Sequence, residues 1–259
     1  MAFGKKCVKV QSFGSTSFFC KKNALQNTPE YCIQGCPIGD TCPYNVVKIY
    51  LDDKDNYWFR STCTKEDIPT DELVKKAITE TQYGKCVYKC DNDVVDHQTV
   101  NLLFEEDITV AFTMSPFCPS GRHINIMGTK GAISASMDGK SPIIISDNIT
   151  EESEEIPIYG KDGINGGHGG GDEGIVHTLY EYINGVYEGV SVPEITESCY
   201  NHLIVFAAEE SRMKNCVVDI DEYIDALEKE NKHSYDYNKF EEFVEYLDKK
   251  ARKRLFIFL

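Results

Sequence analysis

Cysteine is the residue type with the clearest potential for chemistry in this sequence. Four of its eleven cysteines could converge on one metal ion: Cys32, Cys36, Cys42 and Cys90, with Cys86 as a spare or alternative ligand. Four thiolates are a typical ligand set for tetrahedral, structural zinc, although this spacing is wider than that of a C-x2-C knuckle. We therefore predict structural zinc, with iron–sulfur ligation and buried free thiols as the alternatives.

Two histidines are placed where an imidazole could enter a ligand cleft. His168 lies inside the glycine run Gly163–Gly174, whose backbone freedom would let the side chain reach inward. His97 follows a group of aspartates that ends at Asp96, at the mouth of a predicted strand. It could be a ligand-binding residue, a metal ligand, a carboxylate partner or a surface residue. For His168 the alternative is an ordinary loop histidine.

The glycine run also contains the letters of a nucleotide-binding fingerprint. Residues 169–174 fit G-x-G-x-x-G before a predicted helix, but no apolar strand leads into them, and Asp172 and Glu173 would face the pyrophosphate. We instead predict a flexible connector that ends with Asp172 as the N-cap or a first-turn acid of the helix. No cofactor-binding residue is assigned.

The remaining motifs and the charge exclude several classes of function. The sequence has no Ser/His/Asp spacing, no H-E-x-x-H and no G-x-x-x-x-G-K-[ST], so hydrolases and nucleoside triphosphatases lose support and no catalytic residue is assigned. A net charge of −15 would repel a phosphate backbone, which argues against a nucleic-acid partner. Because no membrane-length apolar run and no signal peptide are found, we expect a cytoplasmic protein without a membrane partner.

The periodicity of apolar residues predicts the elements that position these residues. Alternation over residues 100–114, with an acidic turn at 105–107, predicts an antiparallel hairpin, and short turns join further strands between residues 123 and 145. The glutamate-rich segment 151–155 is predicted to be a linker.

Helical periodicity is found mainly in the later part of the chain. It predicts a short helix at residues 71–81 and longer ones around residues 175–186 and 199–207. A further apolar stripe in the tail consists of Phe240, Phe243, Val244 and Leu247.

Strands first and helices later indicate an α+β fold: an open, mostly antiparallel sheet with helices packed on one face, plus a C-terminal helical tail. We predict one domain over residues 1–225, with a cysteine-rich insertion at 32–90, and a helical tail over 226–259.

Six segments spread over most of the chain resemble one known family. They are VKVQSFGSTSF at 8–18, CIQGCPIGDTCPY at 32–44, YGKCVYKCDNDVVDHQ at 83–98, INIMGTKG at 124–131, GHGGGDEG at 167–174 and HLIVFAAEESR at 202–212. Together they resemble the C-terminal half of Gfo/Idh/MocA-type oxidoreductases up to about Tyr223.

The resemblance implies an α+β domain whose open sheet forms a substrate pocket and an oligomer interface, next to an N-terminal Rossmann domain for NAD(P). This sequence resembles only the first of these two domains. The family's E-K-P motif and its G-G-x3-D-x3-H catalytic motif are both absent. NAD(P) is therefore expected only through a missing Rossmann domain.

Two hypotheses from different classes follow. The first is the substrate-binding and assembly half of a sugar or polyol dehydrogenase, inactive alone, with His168, Asp172 and His97 as substrate-binding residues. Its expected partners are a separate Rossmann-domain chain and further copies of this chain, bound through the sheet face. The second is a stand-alone, metal-stapled structural or binding module with no catalytic role. Both have the same fold, so fold class does not choose between them.

Overall fold

The structure is a computed structural model that describes residues 4–118, 121–136, 141–157, 171–189 and 195–231. The chain divides into two compact units. The first contains residues up to Pro116 and those from Leu203 onward, and the second contains Phe117–His202. Within the described residues, no helix is both long enough and apolar enough to cross a membrane.

Eight strands and five α-helices are found in the described part of the chain. The strands are β1 (Cys7–Ser15), β2 (His97–Phe104), β3 (Thr109–Met114), β4 (His123–Met127), β5 (Gly131–Ser136), β6 (Ile143–Asp147), β7 (Ser153–Ile156) and β8 (Val218–Asp219). The helices are α1 (Tyr57–Thr64), α2 (Asp71–Glu80), α3 (Gly171–Ile183), α4 (Ile195–Lys214) and α5 (Ile220–Asn231).

The sheet of the first unit joins strands from both ends of the chain in the order β3-β2-β1-β8, and all its pairs are antiparallel. β1 and β2 pair from Cys7 opposite Phe104 to Ser15 opposite His97, with one irregularity after Cys7. The strand pairing of β2 with β3 confirms the predicted hairpin.

Helix α4 reaches this sheet through a buried serine. The Ser211 hydroxyl oxygen accepts the Ser12 amide of β1 at 2.8 Å, and the same hydroxyl donates to the Cys216 carbonyl at 2.6 Å. Ala207 and Ala208, one helical turn earlier, are also buried, and α5, which begins at a fully buried Ile220, contacts β1 as well. The small side chains of α4 therefore allow close approach to the sheet.

Residues 16–96 lie between two neighbouring strands and include much irregular chain. Short 3-10 turns and the π-helical segment Val47–Asp52 accompany α1 and α2 there. Helix α2 begins after Thr70, whose hydroxyl oxygen accepts the Leu73 amide, as expected for an N-cap. The core of this region consists of Cys63, Val74 and Ala77, with Tyr50, Leu51 and Tyr83 packed around them.

A buried arginine ties α1 to its neighbours. The Arg60 side chain donates to the carbonyls of Tyr50 at 3.0 Å, Leu51 at 3.3 Å and Pro69 at 3.4 Å. It also forms an ion pair with Asp71 at 2.7 Å. Arg60 is only 5% exposed, so these contacts take the place of the water that its charge would otherwise bind.

The second unit contains an antiparallel sheet in the order β4-β5-β6-β7. Cross-strand partners share a face of a sheet, and the register places one set of isoleucines together. The isoleucines of this face are Ile124, Ile126, Ile133, Ile143, Ile145 and Ile156, and we call it the isoleucine face; it also holds Ala135 opposite Ile124 and Glu154 opposite Ile145. Four of the six are exposed: Ile124, Ile133, Ile145 and Ile156. The opposite face is mostly polar, with Ser134, Ser146 and Glu155 on it, and it also holds Ile144.

The α+β class, the antiparallel pairing and the helix at residues 71–81 are confirmed. The strands form two sheets instead of one continuous sheet. The predicted linker 151–155 overlaps β7, because pairing with β6 offsets the low strand propensity of its glutamates. The predicted stripe from Phe240 to Leu247 lies outside the described residues.

Candidate functional site

Asp96 and His97 lie where the chain enters β2, beside the end of β1. The Asp96 amide donates to the Ser15 carbonyl at 3.0 Å, and His97 pairs with Ser15 as the first residue of β2. The Asp96 side chain is 4% exposed, whereas the His97 side chain is 47% exposed. Strand pairing therefore fixes a buried carboxylate next to an imidazole that a ligand can reach.

The Asp96 carboxylate connects two separate parts of the chain. One oxygen, Oδ2, accepts the amides of Phe18 at 2.6 Å and Phe19 at 3.0 Å. The other, Oδ1, lies 2.7 Å from Nδ1 of His97. Burial raises the pKa of Asp96, but the hydrogen bonds from His97, Phe18, Phe19 and Ser17 outweigh it and lower the pKa to about 2.

This ionised carboxylate selects one form of the neutral imidazole. Because a carboxylate only accepts hydrogen bonds, Nδ1 of His97 must carry the proton that the two groups share. Nε2 is then the ring nitrogen that can accept a hydrogen bond from a ligand. The pair is a positioned, half-exposed base with a fixed orientation.

Four aromatic rings form a compact cluster beside this pair, and we call Phe18, Phe19, Tyr44 and Tyr88 the aromatic cluster. The ring centroids of Phe18 and Phe19 are 5.0 Å apart, and those of Phe19 and Tyr44 are 5.3 Å apart. Tyr88 lies 5.7 Å from Phe18 and 6.1 Å from Tyr44. Since Asp96 binds the amides of Phe18 and Phe19, it links the cluster directly to His97.

Gly14 allows the two strands to approach closely at this point. A Cβ atom on Gly14 would lie 2.6 Å from the His97 carbonyl oxygen. Because that neighbour is backbone, any larger residue would displace the start of β2. Gly14 is therefore a positioning residue for the Asp96–His97 pair.

Four cysteines line a small cavity next to the aromatic cluster. Cys32, Cys36, Cys42 and Cys86 are all among its lining residues, together with the cluster members Tyr44 and Tyr88. We call this space, about 20 Å³ in volume, the thiol cavity. Burial raises the pKa of the Cys32 thiol, and the charges of Cys86, Cys36 and Cys42 raise it further, which reflects how near these sulfurs are.

Cys90 does not line the thiol cavity. Its Sγ donates to the Cys86 carbonyl at 3.4 Å. Burial raises the pKa of Cys90, the charge of Lys85 opposes this, and the nearby charges of Cys86, Asp91 and Cys32 raise it further. The structure thus brings three of the predicted metal ligands together with Cys86, the residue predicted as the spare. As placed in the described part of the chain, no three His, Cys, Asp or Glu side chains form a set that could hold a metal ion.

The other predicted substrate-binding residues are located elsewhere. His168 lies outside the described residues, as do most residues of the glycine run. Asp172 is an exposed residue in the first turn of α3, as predicted, in the second unit, whereas His97 belongs to the first.

A dinucleotide does not fit the start of α3. Asp172 and Glu173 place two carboxylates in its first turn, where a pyrophosphate would meet negative charge. A Cβ atom on Gly174 would meet no atom within 4 Å, so no close backbone approach requires a glycine there.

The sheet of the first unit carries a separate open groove of about 430 Å³. Its lining residues are Lys9, Val10, Gln11, Asn101, Leu102, Leu103, Thr109, Val110, Ala111 and Val217. The groove lies toward the opposite end of β1 and β2 from the Ser15–His97 pair. The groove is lined by both polar and apolar residues, but none of them forms a titratable pair like Asp96–His97.

Sequence reasoning missed the aromatic cluster and the role of Asp96. Phe18 and Phe19 are far along the chain from Tyr44 and Tyr88, so spacing does not reveal their contact. The usable signal is that Tyr44 follows Cys42 closely and Tyr88 lies between Cys86 and Cys90. The Asp96–His97 dipeptide is a second signal, because a carboxylate next to an imidazole can set its tautomer.

Comparisons with known proteins give matches among solved structures alone: no protein-family model and no curated protein matches the chain. The oxidoreductase domain protein from Kribbella flavida is 14% identical, with a TM-score of 0.43, and 84% of this chain covers 46% of that one. Scyllo-inositol dehydrogenase from Lactobacillus casei, with bound NAD(H) and scyllo-inositol, is 12% identical, with a TM-score of 0.38 and coverages of 84% and 43%.

A super-repressor mutant of Gal80p from Saccharomyces cerevisiae is 14% identical, with a TM-score of 0.38 and coverages of 84% and 59%. These structures are of the Gfo/Idh/MocA type that the sequence resembles. The chain spans 43–59% of their length.

Proposed function

We propose that this chain is the ligand-binding and assembly part of an NAD(P)-dependent oxidoreductase that acts on a sugar or polyol, with the nucleotide held by another domain. The observation that carries the proposal is the Asp96 carboxylate, which holds an exposed imidazole on one side and the aromatic cluster on the other. A few positioned polar groups beside aromatic side chains are typical of small-molecule sites.

Each part of this arrangement suits a polyhydroxyl ligand. The carbon-bound hydrogens of a sugar ring can pack on an aromatic face, and Phe18 and Phe19 supply such faces next to Asp96. A ligand hydroxyl can donate to Nε2 of His97, since Asp96 keeps the proton on Nδ1. His97 could take up that proton as a general base if a nucleotide held by the other domain accepted the hydride from the same carbon.

We assign no NAD(P)-binding site among the described residues. The first turn of α3 does not fit a pyrophosphate, so we derive no step through the nucleotide. His168 and Asp172 remain substrate-binding residues predicted from the sequence.

A binding measurement tests the proposal. We expect scyllo-inositol or a related polyol to bind the purified chain in a calorimetric titration at neutral pH, and His97→Gln to weaken binding at least tenfold. His177→Gln is the matched control, because His177 is an exposed histidine on α3. Unchanged polyol affinity in His97→Gln, or no binding of any polyol in a panel of hexoses and inositols, would overturn the assignment.

The assembly part of the proposal rests on the isoleucine face of the second unit. Its exposed isoleucines would be covered by the same face of a second copy, since a self-complementary apolar patch favours a two-fold dimer. We therefore propose a homo-oligomer formed through this face. The proposed location of the protein is the cytoplasm.

A second candidate function is a metal-stapled binding module without catalysis. The thiol cavity favours it, because four cysteines meet in a region with little regular structure. Polyol binding separates the two: a module that is only stapled by metal would bind no polyol through His97.

A further inference from the structure

The thiol cavity gathers cysteines from a loop and from a second, distant segment. Cys32, Cys36 and Cys42 come from one turn-rich stretch, whereas Cys86 follows the turn at Gln82–Gly84. The cavity volume of about 20 Å³ is close to the room needed by a single water molecule. Such a space has the size that a single ion would occupy.

The loop that supplies three of these thiols is held mainly by turns. The Cys36 carbonyl accepts the Gly39 amide at 3.0 Å, and the Cys42 amide donates to Ile38 at 2.9 Å. The Asn45 side chain adds one bond to the Gly39 carbonyl at 2.8 Å. These are local contacts, and the loop is joined to the rest of the unit near its two ends, by the bridge of Tyr31 to Lys85 and by the packing of Tyr44 in the aromatic cluster.

The segment that supplies Cys86 is fixed much more firmly. A Cβ atom on Gly84 would lie 1.7 Å from the Ile78 carbonyl oxygen, so the chain runs in direct contact with the end of α2. The Cys86 amide donates to the Glu30 carbonyl at 2.8 Å, and Tyr31 forms a β-bridge with Lys85. Cys86, one residue beyond that bridge, is therefore held firmly in place beside the cysteines of the loop.

We propose that Cys32, Cys36, Cys42 and Cys86 bind one zinc ion, which clamps the loop of residues 31–45 to the segment that follows Gly84. Four thiolates are a closed ligand set, and tetrahedral zinc has no further geometric demand. As placed in the described residues, the four sulfurs do not form a ligand set, so metal binding requires the cysteine side chains to change rotamer around the cavity that they line. The site is structural and does not rest on the proposed ligand-binding function.

The surroundings also suit a zinc ion with four thiolates, which carries a net negative charge. Thr28 lines the cavity, and the ammonium group of Lys89 hydrogen-bonds to the Thr28 carbonyl. The positive charge of Lys89, held beside Thr28, would offset part of the negative charge of the four thiolates. Cys90, outside the cavity wall, is not a ligand in this arrangement.

Metal analysis of matched variants tests the proposal. We expect elemental analysis of the chain, purified under reducing conditions, to give about one zinc per chain. Cys86→Ser and Cys36→Ser should lower the zinc content at least fivefold and lower the melting temperature. Cys90→Ser, the matched control, should retain zinc, and so should Cys199→Ser, which changes an exposed cysteine of the second unit.

A cobalt titration keeps the test decisive if the serine variants fail to fold. Cobalt bound to the unaltered chain should give the intense visible absorption of a tetrahedral four-thiolate site. Four results would overturn the proposal: bound iron in place of zinc, no bound metal, a disulfide among the four cysteines, or zinc that is lost in Cys90→Ser but kept in Cys86→Ser. Loss of polyol binding with zinc intact would instead affect the proposed function alone.

Discussion

At the scale of single residues, Asp96 does several things that are usually divided among different groups. One carboxylate accepts two consecutive backbone amides and orients an imidazole, while strand pairing keeps it buried. Asp71 is the informative comparison: hydrogen bonds from Lys54 and Arg60 lower its pKa, but it lies in contact with solvent. Burial makes the Asp96 bonds harder for water to replace.

The pKa of Asp96 predicts a loss of stability in acid. The pKa falls from 3.8 in the unfolded chain to about 2 in the fold, so ionised Asp96 stabilises the native state by about 2 kcal/mol at neutral pH. This contribution is fully present above pH 3.8 and is lost as the pH falls toward 2. Urea unfolding at several pH values measures it.

Asp96→Asn should remove this acid-dependent component and lower the neutral-pH stability by a similar amount. Asp52→Asn, at an exposed aspartate, should leave both the stability and its pH dependence close to those of the parent chain. An unaltered pH profile in Asp96→Asn would show that the carboxylate contributes nothing specific to the fold.

At the scale of secondary-structure elements, single polar side chains join helices to their surroundings. Ser211 connects α4 to β1 and to the chain before β8, and Arg60 connects α1 to the π-helical segment and to α2. In both cases one side chain satisfies several backbone groups, so its removal leaves more than one polar atom without a partner.

Ser211→Ala should destabilise the first unit by about 2 kcal/mol. The Ser12 amide and the Cys216 carbonyl would both lose their hydrogen-bond partner. Because Ser12 is only 2% exposed, water cannot take the place of the lost hydroxyl at its amide. Denaturant unfolding measures the change. Ser61→Ala, on the exposed side of α1, should change stability by less than about 0.5 kcal/mol.

Arg60→Met should cost about 2 kcal/mol, since the carbonyls of Tyr50 and Leu51 would be left in an apolar environment. Lys54→Met is the control: Lys54 also pairs with Asp71, at 2.7 Å, but it is exposed, and exposed pairs contribute little. Equal thermal stability of the two variants would contradict a central role for Arg60.

Helix α2 shows what the sequence predicts well, and Arg60 shows what it does not. The sequence predicts this helix at residues 71–81, because its determinants are local: the structure shows Thr70 as its N-cap and Val74, Ala77 and Ile78 as its buried face. The partners of Arg60 lie partly in a π-helical segment, and the spacing of apolar residues in the sequence does not predict that segment. The cysteine spacing likewise predicts a cluster but leaves the choice between Cys86 and Cys90 to tertiary structure.

At the scale of the whole molecule, each of the two units has its own antiparallel sheet. Alternation of residue types predicts the strands, but it carries no information on which strands share a sheet. That outcome depends on pairing between residues as distant as Val10 and Val218. The same limitation hides the aromatic cluster, whose members come from distant parts of the chain.

The isoleucine face predicts the assembly state. Ile145→Glu should shift the protein to monomers in light scattering coupled to gel filtration, because it places a charge in the proposed dimer contact. Ile144→Glu is a close control: both residues are 37% exposed on β6, but Ile144 is on the opposite face. A parent chain that is already monomeric, or equal effects of the two variants, would contradict this assembly.

The chain leaves the sheet after Ser15 and returns to it at His97, and Ser15 and His97 are paired across the two strands. A two-residue turn between them would make an ordinary hairpin, so the sheet's register does not depend on what the intervening segment contains. The groups of the proposed ligand site lie at both ends of that segment, at Phe18–Phe19 and at Asp96–His97. Recombination at this seam would therefore exchange specificity between proteins while their scaffold stayed the same.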